Sequence, residues 1–185
     1  MRIPLQQLTG VQEFMGLEFY VNEHVLIPRQ DTETLVELIL NEHKEKNISL
    51  LDVCTGSGCI AVSLAKLGGY ADVTALDLSE EALKVAKSNG EKLLDHPVKF
   101  IKSDMFSALD PENRYDVIVS NPPYIPSQVI EGLEPEVKDH EPRMALDGEP
   151  DGLKFYRILA EEGKKYLKNG GEIYMEIGWN QAKDV

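Results

Sequence analysis

From Ser49 onward, short apolar runs alternate with stretches whose apolar residues return every three or four positions. Leu50-Leu51-Asp52-Val53-Cys54 reads as a short strand, and Gly58 to about Lys66 carries Ile60, Ala61, Leu64 and Ala65 at helical spacing. Val73 to Asp77 is the next strand. Ser79 then caps a helix that has Glu80 and Glu81 in its first turn and Ala82, Leu83, Ala86 and Leu93 along it. Val98 to Ser103, Tyr115 to Ser120 and Glu172 to Ile177 supply three further strands. A helix from about Gly152 to Leu167, closed by Asn169-Gly170-Gly171, precedes the last of them. This alternation predicts an α/β fold with a doubly wound, mostly parallel, Rossmann-like sheet. Upstream, Phe14, Leu17, Phe19, Val21, Val25 and Ile27 alternate loosely, which suggests short strands or a hairpin. Asp31 reads as the cap of a helix reaching about His43. Residues 1–45 thus form an amino-terminal junction, and 46–185 hold the main domain.

The rhythm breaks between Pro122 and Pro150, a stretch with six of the ten prolines. Loops this long inside a compact domain are usually functional or disordered, and its place directly after the fourth strand favours a substrate-facing flap. At 185 residues the chain is long enough to bury one good core. No apolar stretch approaches the ~20 residues of a membrane span, and Met1-Arg2-Ile3-Pro4-Leu5-Gln6 lacks the apolar core of a signal peptide. Cys54 and Cys59, the two cysteines, suit neither a disulfide framework nor a zinc site, so both read as packing residues of a cytoplasmic protein without a metal. The formal charge of −13, from 19 basic and 32 acidic residues, opposes nucleic-acid binding, which needs a basic face for phosphates. Lys164-Lys165 with Lys168 is the longest basic cluster and reads as a solvated helix face. A basic protein partner is easier to accommodate, and a monomer is expected.

Asp52-Val53-Cys54-Thr55-Gly56-Ser57-Gly58 occupies the first strand-to-helix turn. Gly56 and Gly58 permit a tight turn and a close backbone approach to a ligand, and with Ala61 they fit G-x-G-x-x-A. Asp77 ends the second strand, where an acid accepts hydrogen bonds from ribose hydroxyls. Together these features point to an adenosine-type cofactor, with NAD and S-adenosylmethionine both open. After the third strand, Asp104 can accept from an adenine amino group while Met105 or Phe106 covers the ring. None of the four histidines (His24, His43, His96, His140) sits on a strand end, so a general acid or base for hydride transfer is not evident. Asn121-Pro122-Pro123-Tyr124 follows the fourth strand. Asn121 offers an amide oxygen and Pro122 a carbonyl. Pro123 stiffens the turn, and Tyr124 adds a flat face. Two acceptors beside a ring suit a planar –NH2, either a carboxamide or an exocyclic base amine.

With D-x-C-T-G-S-G, Asp77, S-D-M-F and N-P-P-Y-I in this order, the chain resembles class I S-adenosylmethionine-dependent methyltransferases. It resembles most closely the release-factor glutamine N(5)-methyltransferase family, sometimes called the HemK family. Leu26 to Glu33 matches the family's segment before its catalytic sheet. Glu141 to Gly148, followed by Asp151-Gly152-Leu153, matches its long loop and next helix. The resemblance implies that 46–185 is the catalytic domain. Cys54, Thr55, Gly56, Ser57 and Gly58 would wrap the methionine and ribose of S-adenosylmethionine, with Asp77 on the ribose and Asp104 and Met105 near the adenine. Asn121, Pro122, Pro123 and Tyr124 would bind a glutamine side chain, with Asn121 also beside the cofactor and Asn121, Pro122 and Tyr124 acting in catalysis. The products would be a methylated glutamine and S-adenosylhomocysteine, and the partner a peptide-chain release factor carrying a Gly-Gly-Gln loop. Family members often carry Gly at Cys54 and an aromatic at Met105. By the same resemblance, an amino-terminal helical domain and the sheet's last antiparallel strands are missing, which suggests a fragment that is incomplete at its carboxyl end. The alternatives are an amino methyltransferase of nucleic-acid bases and a non-catalytic scaffold.

Overall fold

The computed structural model describes residues 3–185; Met1 and Arg2, which open the amino-terminal stretch read above, lie outside the described residues. Helix α1 (Leu5–Thr9) leads into an antiparallel hairpin of β1 (Val11–Phe14) and β2 (Leu17–Tyr20). Its turn places Met15 and Gly16 at positive φ, as a two-residue hairpin turn demands, and the Met15 N–H is fixed by Glu33 at 2.6 Å. Helix α2 (Gln30–Glu42) follows. Asp31 is not its cap, contrary to the sequence reading. The helix is entered at Arg29 in extended conformation, no side chain caps it, and Asp31 joins Glu33 inside the first turn. There both carboxylates sit near the positive end of the helix dipole, and Glu33 also accepts the Met15 N–H.

Strand β3 (Ser49–Val53) is buried along its whole length. It runs through a glycine turn into α3 (Cys59–Ser63), which widens into a π-helical turn over Leu64–Gly68. Strand β4 (Asp72–Asp77) precedes α4 (Glu80–Leu93), where Ser79 does cap, accepting from the Ala82 N–H at 3.1 Å. Strands β5 (Lys99–Lys102) and β6 (Tyr115–Ser120) come next. The proline-rich stretch is folded rather than disordered, with short turns α5 (Ser127–Ile130), α6 (Pro135–Lys138) and α7 (Arg143–Leu146). Helix α8 (Lys154–Glu162) passes through a 3-10 turn into β7 (Leu167–Met175). The helix therefore stops short of Leu167, and Asn169-Gly170-Gly171 does not close it. Those residues lie inside β7, where the register against β6 shifts between Tyr115 and Val117. Gly170 has φ 81°, and a Cβ at Gly171 would come within 3.0 Å of the Tyr115 and Asp116 carbonyls. The glycine pair makes a bulge.

The five-stranded sheet runs β5-β4-β3-β6-β7, and every neighbouring pair is parallel. Because side chains alternate across a strand, Leu50, Val73, Ala75, Val117 and Val119 face one way, under α2, α3 and the hairpin's Phe14 and Phe19. Leu51, Val53, Leu76 and Ile118 face the other way, against Phe106, Leu109 and Leu159. Strand order reverses at β3, with β4 on one side and β6 on the other. The carboxyl ends of these strands share one edge, the place where open α/β sheets bind ligands.

Candidate active site

The glycine turn after β3 is held open by its backbone. Cys54, Gly56 and Gly58 all take positive φ, and a Cβ on Gly58 would lie 3.0 Å from the Ala86 Cβ of α4. At Gly56 an added Cβ would meet nothing within 4 Å. Asp77, at the end of β4, accepts from the Gly56 N–H and the Ser79 N–H, each at 2.8 Å. Burial raises its carboxyl above the usual range, against those backbone donors. Asp52 lies beneath the turn. One of its oxygens takes the Thr55 hydroxyl at 2.5 Å and the Ala61 N–H at 3.2 Å, while the other is buried without a partner. Burial pushes its pKa to about 7. Asn89 of α4, fully buried, ties the turn to the hairpin: it donates to the Ser57 and Tyr20 carbonyls and accepts from the Tyr20 N–H.

Beyond β5, Ser103 accepts from the Ala108 N–H and donates to the Met105 carbonyl, closing a turn that sets Met105 at φ 47°. The Met105 sulfur lies 3.9 Å from the Cys54 thiol, so two soft side chains meet across the strand ends. Asp104 is exposed beside them. Phe106 is not a candidate ring cover: it is buried in the core and stacked on Tyr166, centroids 5.2 Å apart.

At the end of β6, the Asn121 Nδ2 donates to the Thr32 hydroxyl of α2 at 3.2 Å. The Thr32 hydroxyl donates in turn to Glu176 Oε2 at 2.6 Å, and the Tyr124 hydroxyl reaches Glu176 Oε1 at 3.2 Å. Burial, and then the Glu176 carboxylate, push the Tyr124 hydroxyl up to about 12. The Tyr124 carbonyl is held by Gln181 Nε2 at 3.0 Å. The long stretch is fastened to the same place. Ile125 and Asp147 form a bridge, and Gly148 and Gly152 pass so close to Tyr124 that a Cβ on either would clash with its backbone. Arg29 pairs with Glu141 through both carboxylate oxygens, at 2.8 and 2.7 Å, which locks the stretch against the segment before α2.

These elements enclose a cavity of about 250 Å³. Of the candidates named from the sequence, Cys54, Thr55, Gly56, Ser57, Asp77, Asp104, Met105, Asn121 and Pro123 line it. Gly58, Pro122 and Tyr124 are not among the residues that line it; Pro122 and Tyr124 adjoin Asn121 in the turn after β6. Residues 23–26, Pro28, Arg29 and Thr32 also line it, and Pro142, Met144 and Ala145 of the flap complete it. His24 is half-exposed at this wall with Glu23 beside it. The sequence reading missed Thr32 and Glu176. Glu176 follows the last strand on the ligand edge, so the strand-end rule that picked out Asp77 would also have found it; Thr32 carried no signal.

Residues 30–132, more than half of the chain, match the sequence family described as Methyltransferase small domain. The chain belongs to that family. Over its whole length it is 45% identical to a release factor glutamine methyltransferase of Geobacter sulfurreducens and 47% identical to one of Fusobacterium nucleatum. It spans 64% and 52% of the lengths of these two relatives. Among solved structures, a methyltransferase from Pyrococcus furiosus superposes with TM-score 0.65 at 20% identity, over 91% of this chain and 73% of that one. A ribosomal protein L11 methylase from Lactobacillus delbrueckii subsp. bulgaricus gives TM-score 0.59 at 19% identity, over 89% and 69%. Both share the methyltransferase fold, and the cavity opens at that fold's strand-end edge. Among the described residues, no helix is long and apolar enough to cross a membrane, and no three His, Cys, Asp or Glu side chains group as a metal site.

Proposed function

We propose that this chain transfers a methyl group from S-adenosylmethionine to the side-chain amide nitrogen of a protein glutamine, that of the Gly-Gly-Gln motif of a peptide-chain release factor. One observation carries the reading. Asn121 uses its Nδ2 on Thr32, and among the described residues no donor reaches its Oδ1, so the side chain presents an acceptor at the cavity wall. An acceptor there suits an –NH2 group.

The cavity fits the cofactor in three respects. Gly56 lacks the Cβ that would project into it, the Asp77 oxygens keep lone pairs for ribose hydroxyls, and Met105 with Cys54 offers a polarizable face for a purine. S-adenosylmethionine, when bound, supplies an electrophilic methyl on a sulfonium. Asn121 Oδ1 and the Pro122 carbonyl would accept both N–H bonds of the substrate amide. Their dipoles favour positive charge developing on a nitrogen whose lone pair is otherwise delocalised. Tyr124 would hold the amide plane. Orientation of this kind supplies on the order of 7–11 kcal/mol. The methylated nitrogen is acidic enough to release its proton without a dedicated base.

The test is mass spectrometry of a release factor after incubation with this chain and S-adenosylmethionine labelled in its methyl group. Label is expected on the Gly-Gly-Gln glutamine. Asn121→Ala is expected to lose about 100- to 1,000-fold in turnover, while cofactor affinity measured by calorimetry changes little. Label in nucleic acid instead of glutamine would overturn the assignment.

A further inference from the structure

A carboxamide is nearly symmetric in shape, with oxygen and NH2 in equivalent places, so its partners decide which end faces a ligand. For Asn121 the decision rests on a chain of three groups. Glu176 as a carboxylate has no proton to give and can only accept. It takes the Thr32 proton at 2.6 Å. With that proton committed, the Thr32 oxygen has only lone pairs left for Asn121, 3.2 Å away. Only the NH2 end can answer it. The other Glu176 oxygen takes the Tyr124 hydroxyl at 3.2 Å. One carboxylate therefore sets the polarity of two hydroxyls on either side of the Asn-Pro-Pro-Tyr turn.

The scaffold fixes the main chain that carries this carboxylate. The Glu176 N–H donates to the Ser120 carbonyl at 3.0 Å, and its own carbonyl accepts from Tyr156 at 3.0 Å. Thr32 is 2% exposed, so water does not compete for its hydroxyl. The geometry points to Thr32 and Glu176 as positioning residues that hold the Asn121 amide oxygen toward the substrate nitrogen and fix the Tyr124 ring beside it. This inference deepens the proposed glutamine methylation and rests on it for its kinetic consequence, but the amide orientation itself stands independently. If Glu176 were an amide, its NH2 could donate to Thr32, and the Thr32 proton would swing toward Asn121 and draw the oxygen inward.

The experiment compares Thr32→Val, Thr32→Ser, Glu176→Gln and the Thr32→Val/Glu176→Gln pair in the 185-residue chain. Two readouts are taken: turnover with a Gly-Gly-Gln-bearing release factor, and the 15N side-chain amide resonances of Asn121, identified by their loss in Asn121→Ala. Thr32→Val and Glu176→Gln are each expected to lower kcat by roughly 10- to 100-fold, with S-adenosylmethionine affinity within about twofold of the parent. Thr32→Ser retains turnover of the parent's order. The double variant is expected to be no worse than the worse single one, because the two residues act as one chain. The Asn121 amide protons are expected to exchange faster and shift in Thr32→Val. Parent-like turnover and an unmoved Asn121 resonance in Thr32→Val would overturn the inference, as would fully additive losses in the double variant. If Thr32→Val does not fold, Glu176→Gln is judged by the same two criteria. Should the parent chain methylate no glutamine, the proposed function fails, and the resonance alone decides the amide orientation.

Discussion

Asp52 shows how a single buried side chain couples the glycine turn after β3 to pH. Its neighbours Thr55 and Ala61 take one oxygen, the other has no partner, and burial lifts its pKa to about 7. An unfolded aspartate titrates near 3.9. Between roughly pH 4 and pH 7 the folded chain therefore holds a proton that the unfolded chain has released, so this residue makes stability fall as pH rises through that window. Above about pH 7 both states are ionised and the penalty is constant. Asp52→Asn keeps an oxygen for Thr55 and Ala61 but cannot ionise. Denaturant midpoints measured from about pH 4.5 to 8 should fall less steeply for this variant than for the parent. Parallel profiles would show that the carboxyl titrates normally.

The hairpin, α4 and the glycine turn behave as one unit because Asn89 satisfies a polar atom in each neighbour. It answers both backbone groups of Tyr20 in β2 and the carbonyl of Ser57 in the turn, with no exposure of its own. Buried backbone groups without partners cost about 1–3 kcal/mol each, so Asn89→Ala should destabilise the fold by about that amount or more in a urea titration. It should also weaken S-adenosylmethionine binding by calorimetry, since Ser57 loses its anchor although Asn89 does not line the cavity. Unchanged cofactor affinity in a destabilised variant would confine Asn89 to a structural role.

Across the whole molecule, the pair between Arg29 and Glu141 joins segments 112 positions apart and closes the flap over the sheet edge. The Glu141 side chain is 1% exposed and that of Arg29 41%. Burial raises the Glu141 carboxyl, and Arg29 is the largest influence restraining it. Removing Arg29 strands a charge in the interior, whereas the solvent on its outer face screens part of the loss. Arg29→Ala should therefore cost about 1–3 kcal/mol, below the full penalty for a fully enclosed pair. Limited proteolysis should then cut within residues 127–146, and Arg29→Ala/Glu141→Gln should recover part of the protection. Equal protection in parent and Arg29→Ala would mean that the bridge at Ile125 and Asp147 holds the flap unaided.

Local chemistry made much of this legible in the chain itself. Tyr115–Ser120 is a strand with the expected bounds, and Ser79 caps α4. Side-chain period and capping depend on neighbours within a few positions. The same locality gathered Cys54 to Ser57, Asp77, Asp104, Met105 and Asn121 at one edge, because parallel strands bring their carboxyl ends together. Where locality ended, so did the reading. Asn169-Gly170-Gly171 has the composition of a helix stop, yet pairing with β6 makes it a bulge. Asp31 has the chemistry of a cap, yet the chain enters α2 at Arg29, whose guanidinium is held by Glu141. Thr32 meets Asn121 across 89 positions and Glu176 across 144. Composition and spacing announce an amide at a strand end. Which end of that amide meets a ligand depends on a hydroxyl and a carboxylate that only the packing of α2 and β7 against β6 brings within hydrogen-bond reach.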